Sequence, residues 1–492
     1  MRTRIVPTAS GKKAVQVVSK HYGKVTVHKH IGSFATDEEK LLLLSQAETF
    51  IHQGQTNLFE TLSSFRPTDV AVSENRPLFI YQLLSAIYDK LGLNSFPDTL
   101  IKDLVVARVY QPASKLETSD ILSDLFGKEY VLRTVYRHLK TGLEKGIKES
   151  FQKSLVQFAR QELGDTLRLV FYDVTTLYFE SIVKTELKDF GFSKDHRSQE
   201  TQVVIGLVVN NQGFPLYFDV FSGKTFEGHT FVPIVKNIQK LVGQEELVVV
   251  ADAAMISVDN IEKLESEHIG FIVGARLSNL PTQMIDLIFT QLKKQDGEMI
   301  TTTYREQRLI CHYSAKRASK DKSDRTKQIE RVKSAITSPS RVTSRYRFMK
   351  ADKDKYSLNT AVIEKAEKLE GIKGYLTNTT LTEQTIIDRY HDLWRVEKAF
   401  RITKTDLEAR PIFHRLDETI KAHLVIVFAG LAITRYLELK TNLSIKRILK
   451  IAGKVLTHKV TNTKTGEIAY VETTIEDPEL NEKIKLLKSL VH

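Results

Sequence analysis

The stretch Thr166-Leu-Arg-Leu-Val-Phe-Tyr-Asp173 decides the fold, because an apolar run of this length predicts a buried β-strand and it leads directly into an acid. A second run, Glu246-Leu-Val-Val-Val-Ala251, is followed in the same way by Asp252. The carboxyl ends of such strands are where open α/β sheets place their functional sites. An Asp after a strand also commonly caps a helix or forms a turn, so either acid alone would indicate no more than that.

A third acid, Glu397, lies in a segment from Ile386 to Asp406 that has the pattern of one long helix. Tyr390 precedes it by one heptad and Lys404 follows it by one, so the three share a helix face. Acids at two strand ends and on a packed helix supply the hard oxygen ligands that Mg²⁺ or Mn²⁺ prefers. Two such ions about 3.5–4 Å apart would stabilise the attacking and leaving oxygens of a phosphoryl transfer. The predicted catalytic and metal-binding set is Asp173, Asp252 and Glu397.

Strands and helices alternate between residues 166 and 274 in a readable order. The predicted strands are Thr166–Asp173 (with Phe179 as the alternative end), Gln202–Val209, Leu216–Phe221, Glu246–Ala251 and Gly270–Val273, and the predicted helices are His229–Leu241 and Val258–Ser266. Three antiparallel strands followed by helix, strand, helix and strand is the order of an RNase H-like core. We predict an α/β protein whose core comprises residues 161–275 and 376–436, separated by a β-rich basic insertion at 276–375.

The remaining segments flank this core. Residues 1–70 predict a β-hairpin and a helix from Thr36 to Gln53, and the Pro-containing stretch 66–77 predicts a loop. Residues 71–160 predict a mainly helical region that binds DNA, in which basic helices fit a helix-turn-helix reader and a plain helical bundle equally well. Residues 437–492 predict a C-terminal region of helices and a hairpin. His414 and His423 have no cysteine nearby and are predicted to be structural.

The composition favours a polyanionic partner. The formal net charge is +12 and the pI is 9.3, and between residues 316 and 350 twelve Lys and Arg stand against three acids. This surplus predicts contact with a phosphate backbone, notably through Arg325, Arg331 and Lys333, although a solvated helix face is the alternative. The single cysteine, Cys311, and the absence of an apolar leader predict a cytoplasmic protein, and no membrane association is expected.

The chain resembles bacterial insertion-sequence transposases of the DDE type, in the branch marked by a Tyr-Arg-Glu-Lys signature. The segment Tyr390-His-Asp-Leu-Trp-Arg-Val-Glu397-Lys-Ala-Phe-Arg-Ile-Thr-Lys404 matches Tyr, Glu and Lys in register, whereas Leu393 occupies the Arg position. Further similar segments are Asp173-Val-Thr-Thr176, Phe221-Ser-Gly-Lys-Thr225, Ala251-Asp-Ala-Ala-Met255 and Arg410-Pro411. The resemblance covers roughly residues 160–435.

The resemblance implies a role for each matching residue. Asp173 would bridge two Mg²⁺ or Mn²⁺ ions, Asp252 would hold one and Glu397 the other. Tyr390 and Lys404 would contact DNA phosphate. Arg395 and Arg401 lie near the missing signature Arg, whose phosphate contact would be either supplied differently or absent. The branch often uses an aromatic side chain to hold a flipped base, but Trp394, the one tryptophan, is more simply interpreted as a core anchor.

The implied function is a DNA transposase that cuts the terminal inverted repeats of its element and joins the 3′-hydroxyl to target DNA. The implied assembly is a homodimer in a synaptic complex, acting in the nucleoid-associated cytoplasm of a bacterium. Two other functions stay open: a domesticated or decayed DNA-binding protein of the same fold that no longer cuts, and a metal-dependent nuclease that cleaves without joining. The three acids favour the transposase, and Leu393 leaves room for the non-catalytic protein.

Overall fold

The computed structural model describes residues 2–8, 13–21, 24–34, 36, 39–40, 43–44, 47, 70–192, 199–243, 246–255, 257–337, 346–352 and 355–491. The chain forms two compact units, one built from residues 1–78 and 454–476, the other from residues 79–453 and 477–492. This division differs from the six predicted segments, because strands far apart in sequence pair within the smaller unit.

Within these ranges the strands are β1 (Arg2–Pro7), β2 (Lys13–His21), β3 (Lys24–Phe34), β4 (Val70–Arg76), β5 (Leu169–Tyr178), β6 (Gln202–Val209), β7 (Pro215–Ser222), β8 (Val248–Ala251), β9 (Gly270–Ala275), β10 (Met299–Tyr304), β11 (Gln307–Tyr313), β12 (Met349–Asp352), β13 (Lys355–Leu358), β14 (Ile372–Thr377), β15 (Thr457–Asn462) and β16 (Ile468–Glu472). The α-helices are α1 (Leu78–Lys90), α2 (Thr99–Tyr110), α3 (Lys115–Phe126), α4 (Leu132–Glu144), α5 (Ile147–Gln161), α6 (Glu227–Val242), α7 (Val258–Ser266), α8 (Thr282–Gln291), α9 (Ala315–Thr337), α10 (Thr360–Lys368), α11 (Glu383–His391), α12 (Trp394–Arg401), α13 (Asp417–Thr441), α14 (Ile445–Ala452) and α15 (Pro478–Ser489).

The smaller unit contains two three-stranded antiparallel sheets. Strands β2 and β3 form the predicted N-terminal hairpin, with β1 on the other side of β2. The second sheet has the order β16-β15-β4, so the stretch predicted as a loop pairs with the C-terminal hairpin. The predicted helix Thr36–Gln53 falls largely outside the described residues, although Thr36 and Glu39 exchange the two hydrogen bonds of a capping box.

An eight-stranded sheet forms the centre of the larger unit, in the order β10-β11-β14-β9-β8-β5-β6-β7. Strands β5, β8 and β9 are parallel to one another, and the other neighbouring pairs are antiparallel. The protein is therefore a mixed α/β structure. Every residue of β6 is buried, as expected for an interior strand covered on both faces.

Helices cover both faces of this sheet. On one face, α6 packs over β6 and β7, and the Tyr172 ring lies 5.2 Å from that of Phe231. On the other face, α11 packs on β8 and β9, and α12 packs on β5 and β6. Helix α13 lies against β7, where the rings of Phe218 and Phe428 are 4.6 Å apart. Tyr172 faces α6, so the next residue along β5, Asp173, faces α12.

The segment predicted as a β-rich insertion differs from that expectation. Its longest element is the 23-residue helix α9, which contains much of the basic run. Strands β10 and β11 extend the central sheet through β14 instead of forming a separate layer. Of the strands in the described part of this segment, only β12 and β13 do not belong to the main sheet, and they form a short hairpin of their own.

The prediction of a single helix from Ile386 to Asp406 is wrong, because α11 and α12 are separated at Asp392 and Leu393. There the Leu393 amide bonds the Tyr390 carbonyl (3.2 Å) and the Arg395 amide bonds the Asp392 carbonyl (3.0 Å), a tighter turn than the α-helix makes. Leu393 is buried at this break, and one π-helical turn, Ile402–Asp406, follows α12.

Helix α13 is the one helix in the described residues that is long and apolar enough to cross a membrane. Within the fold, 94% of its most apolar window is buried. Burial of this extent is typical of the central helix of a globular core.

Candidate active site

Asp173 and Asp252 lie on neighbouring strands at the point where those strands stop pairing. The last parallel pair of β5 and β8 is Tyr172 with Ala251, and each acid is the next residue along its strand. Neighbouring strands are about 5 Å apart, so the register brings the two acids to the same level of the sheet. Asp173 is not at a strand end, because β5 continues to Tyr178 with only β6 beside it, which agrees with the longer of the two predicted bounds and not with the shorter.

The carboxylate of Asp252 is held through one of its two oxygens. Oδ1 accepts a hydrogen bond from the Tyr390 hydroxyl at 3.0 Å and another from the Ala253 amide at 2.7 Å. The Asp252 carbonyl accepts from the Met255 amide at 3.0 Å, which closes a short 3₁₀ turn. Because both side-chain bonds go to Oδ1, the Oδ2 lone pairs are left for another ligand.

Tyr390 is a buried side chain that holds Asp252 in place through its hydrogen bond. Only 7% of its surface is exposed, and it fits against β9 because Gly274 has no side chain: an added Cβ would collide with the tyrosine hydroxyl. Burial raises the pKa of Tyr390, and the charge of Asp252 and the hydrogen bond to it raise that pKa further. Tyr390 is therefore a neutral hydrogen-bond donor, placed inside the site rather than at the surface where a DNA phosphate would contact it.

Lys373 joins this group, although the sequence analysis did not single it out. It lies on β14 with its Nζ 4.3 Å from the centroid of the Tyr390 ring. Burial, followed by the charge of Arg317, lowers the pKa of Lys373, whereas Asp252 and Glu397 act in the opposite direction. Lys373 is thus a cation that interacts with both acids. The signal in the sequence was a lysine within the otherwise apolar strand Ile-Lys-Gly-Tyr-Leu.

Glu397 lies on α12, with its side chain exposed. No hydrogen bond or ion pair engages its carboxylate among the described residues, and it acts electrostatically on Lys373 and Tyr390. In the described part of the chain, no three Asp, Glu, His or Cys side chains are grouped closely enough to hold a metal ion. The three predicted acids therefore lie in one region of the sheet, but they do not form a closed cage.

The residues around Glu397 differ in what their side chains do. Leu393, at the signature Arg position, is buried in the break between α11 and α12. Arg395 pairs with Asp392 at 3.0 Å and stacks 5.0 Å from the ring of Trp394. Trp394 is 50% exposed, so the interpretation of this tryptophan as a core anchor is wrong.

Two predicted DNA-binding residues follow Glu397 along the chain. Arg401 is exposed at the end of α12, and Lys404 is partly buried in the π-helical turn. This turn replaces the regular helix on which the shared face of Tyr390, Glu397 and Lys404 was predicted. The heptad spacing between Glu397 and Lys404 therefore no longer fixes their relative directions.

The basic helix α9 separates into structural and exposed cations. Arg325 pairs with Glu367 at 2.7 Å and with Glu370 at 2.5 Å, and only 15% of its side chain is exposed. Arg331 and Lys333 are exposed. Of the three predicted DNA contacts on this helix, Arg325 is thus engaged in joining α9 to α10 and the segment that follows it.

A cleft with a volume of ≈ 530 Å³ connects Asp252 to this helix, whereas Asp173 and Glu397 do not line it. It extends from Asp252 and Tyr390 past Lys373 to Arg317 and Arg347. An open cleft with the Asp252 carboxylate at one end and a wall that carries both cations and the acids Asp321, Asp324 and Glu370 can hold a phosphodiester beside an oxygen-ligated ion. This is the chemistry required for cutting or joining a nucleic acid strand.

A comparison with protein-family models points in the same direction. A family model described as "Transposase DDE domain" matches residues 166–433, more than half of the chain. A similar solved structure is titled "Cryo-EM structure of piggyBac transposase synaptic complex with hairpin DNA". The two share 9% identity with a TM-score of 0.40, over 77% of this chain and 79% of that one, a likeness too distant to support an argument. No curated protein matches the chain.

Proposed function

Because the chain belongs to the family of transposases with a DDE domain, we propose that it is a DNA transposase of the bacterial insertion-sequence type. It cuts DNA at the terminal inverted repeats of its element and joins the freed 3′-hydroxyl to target DNA. The observation that carries this proposal is the register of β5 and β8, which sets Asp173 beside Asp252 on the sheet face covered by the Glu397 helix.

The strand order supports an RNase H-like core. Strands β7, β6 and β5 are antiparallel neighbours, and β8 and β9 continue the sheet in parallel with β5. This is the arrangement expected from the sequence for residues 166–274. The Tyr-Arg-Glu-Lys branch remains part of the proposal, with Leu393 as its departure.

Asp173, Asp252 and Glu397 would hold two Mg²⁺ or Mn²⁺ ions. The donor set fits, because all three groups offer carboxylate oxygens, Oδ2 of Asp252 is left for a ligand, and Glu397 makes no hydrogen bond or ion pair among the described residues. Bound there, the ions supply activation of water and of the 3′-hydroxyl and stabilisation of the phosphoryl charge.

The surrounding residues position the acids and the DNA. The Tyr390 hydroxyl fixes the orientation of Asp252, as a second shell around a metal does. Lys373 offsets the mutual repulsion of Asp252 and Glu397. DNA phosphates contact four basic side chains, the exposed Arg401, Arg331 and Lys333 and the partly buried Lys404. The exposed ring of Trp394, which stacks on Arg395, is available to a base.

The partners proposed are double-stranded DNA and a second copy of the chain in a synaptic homodimer, within the nucleoid-associated cytoplasm. The direct test is an assay with a duplex that carries the sequences flanking this gene. Cleavage that yields 3′-hydroxyl ends with Mg²⁺ and not with EDTA, followed by joining to a second duplex, is the expected result. Cleavage without joining would indicate the metal-dependent nuclease. Binding without cleavage would indicate the non-catalytic DNA-binding protein.

Arg331→Ala and Arg325→Ala should affect different properties, the first DNA binding and the second thermal stability. Arg331 is an exposed cation, so its removal is expected to weaken DNA binding equally for all sequences and to reduce the salt slope of log K by about 1. Arg325 pairs with Glu367 and Glu370, so its removal should lower the thermal unfolding temperature instead. Salt titrations of DNA binding and thermal melts of both variants test this. Equal losses of DNA affinity in both variants, with no change in melting, would contradict it.

A further inference from the structure

A second cavity lies away from the acids, between the start of α3, residues 408–414 and helix α13. Its volume is ≈ 450 Å³. It is lined by three basic side chains, Arg108, Lys115 and Arg410, and by two histidines, His414 and His423. None of these residues belongs to the proposed cleavage site, and the sequence had indicated only a structural role for the histidines.

Arg108 and Lys115 are buried, and the acid whose charge acts on Arg108 is the exposed Glu408. Arg108 is 6% exposed and donates to the Ala113 carbonyl at 2.8 Å, and Lys115 is 5% exposed. No hydrogen bond or ion pair engages the Lys115 ammonium among the described residues. Burial, followed by the charge of Arg108, lowers the pKa of Lys115, and burial lowers the pKa of Arg108 to about 10. Glu117 and Glu408, the acids in the lining, are both exposed.

His423 adds an unsatisfied polar group to the same wall. It is 5% exposed, and neither of its ring nitrogens makes a hydrogen bond of good geometry among the described residues, although the nearby Ala409 backbone acts weakly to raise its pKa. The ring of His414 lies 5.1 Å from it. Burial, followed by the nearby cations, lowers the pKa of both histidines, so they are neutral and each can donate one hydrogen bond to an acceptor in the cavity.

The start of α3 adds to the positive potential. Ser114 caps this 12-residue helix by accepting from the Glu117 amide at 3.2 Å, and Pro112 to Leu116 line the cavity. A helix N-terminus favours an anion, and here it coincides with buried cations and an unsatisfied histidine. A small anion with several hydrogen-bond acceptors would satisfy all of these groups.

The rim of the cavity has a different character. Phe413 is 70% exposed, Leu116 is 61% exposed and Tyr136 is 38% exposed, and all three line the opening. Exposed aromatic and apolar side chains above a cationic floor suit a planar base whose phosphate lies below. A bare inorganic anion would leave this apolar rim without a partner.

We propose that this cavity binds the phosphate of a nucleotide, with the phosphate on Arg108, Lys115 and His423 and the base against Phe413. The nucleotide is either a residue of a DNA strand or a free mononucleotide. Only the first source rests on the proposed transposase function, and the cavity chemistry is the same for both.

The test is equilibrium binding without divalent metal, so that it does not depend on cleavage. The probes are inorganic phosphate, deoxyadenosine 5′-monophosphate, deoxyadenosine, and a short single strand with either a 5′-phosphate or a 5′-hydroxyl. The variants are Lys115→Met, which keeps the side-chain volume and removes the charge, Phe413→Ala on the rim, and Lys153→Met, an exposed lysine of α5 outside the lining, as charge-matched control.

Lys115→Met is expected to weaken binding of the monophosphate by at least about tenfold, while Lys153→Met changes it by less than about twofold. Lys115→Met should also raise the melting temperature, because it removes a buried amino group that has no hydrogen-bond partner among the described residues. Phe413→Ala should weaken binding of the monophosphate but not binding of inorganic phosphate. Since Phe413 is exposed, this variant gives a result even if Lys115→Met fails to fold.

The source of the nucleotide follows from the other probes. Preference for the 5′-phosphorylated strand identifies a strand end, equal binding of both strands identifies an internal phosphodiester, and binding of the monophosphate alone identifies a free nucleotide. Equal affinity of Lys115→Met and Lys153→Met for the monophosphate would overturn the proposal, as would deoxyadenosine binding as well as its monophosphate. Loss of cleavage in a separate assay would bear on the proposed function and not on this cavity.

Discussion

Asp252→Asn is expected to abolish metal-dependent DNA cleavage, with a loss of at least about 10³-fold, or about 4 kcal/mol of transition-state stabilisation. Asn has the shape of Asp, and its Oδ1 can still accept from the Tyr390 hydroxyl and the Ala253 amide. The fold around the site should therefore persist. What is lost is the negative charge and the second carboxylate oxygen that a divalent cation requires. Single-turnover cleavage with Mg²⁺, beside a thermal melt, measures both effects.

Tyr390→Phe is the graded companion of this variant. It removes the hydroxyl that orients Asp252 and leaves the ring packed on Gly274, so a loss of about 10–100-fold is expected, as for other second-shell partners of metal ligands. A higher Mg²⁺ concentration should recover part of the Tyr390→Phe activity and none of the Asp252→Asn activity. Full activity of Asp252→Asn would remove Asp252 from the site, and a loss of folding would leave its charge untested, so the melt is required.

Glu438→Ala is expected to cost about 3–5 kcal/mol of unfolding free energy. Glu438 is the acid that compensates Arg435 on α13, and their side chains are 8% and 5% exposed. Arg435 also donates to the carbonyls of Gly213 (3.1 Å) and Gln212 (2.9 Å), so it fastens the β6–β7 turn to α13. Lys398 on α12 pairs with the same glutamate at 2.9 Å. Without Glu438, a buried guanidinium remains beside a second cation with no counterion.

Chemical denaturation followed by the fluorescence of Trp394 measures this loss, because that tryptophan lies on the helix that Lys398 ties to Glu438. Glu479→Ala is the matched control, since Glu479 forms an i,i+4 pair with Lys483 but is 78% exposed. Exposed pairs contribute little, so the control should unfold like the wild type. If both alanine variants unfolded at the same denaturant concentration, the Arg435–Glu438 pair would not be a major source of stability.

The sequence was sufficient where local patterns determine structure. The helix Val258–Ser266 and the strand Gln202–Val209 were predicted with the bounds they have, because Ser257 caps the first and the second is an unbroken apolar run. Tertiary contacts determined the rest. The break at Leu393 depends on that side chain being buried and on Asp392 pairing with Arg395, neither of which a helical period reveals.

The acids of the proposed site could be selected from the sequence, whereas the residues around them could not. Asp173 and Asp252 follow apolar runs that the sequence displays, and Glu397 is the acid between Tyr390 and Lys404. Lys373 and Gly274 come from strands β14 and β9, which pair only in the folded sheet. The direction of the Tyr390 side chain depends on the space at Gly274, so its contact with Asp252 could not be inferred from spacing.

The pairing of β4 with β15 has a consequence for how the chain can be made and shortened. β4 is completed early in synthesis, whereas β15 and its hairpin partner β16 are translated near the end. The early strand therefore waits, unpaired, while nearly all of the larger unit emerges. A deletion from either terminus leaves the surviving strand with an open edge, which is a template for aggregation. Recombinant fragments should keep both ends or remove both together.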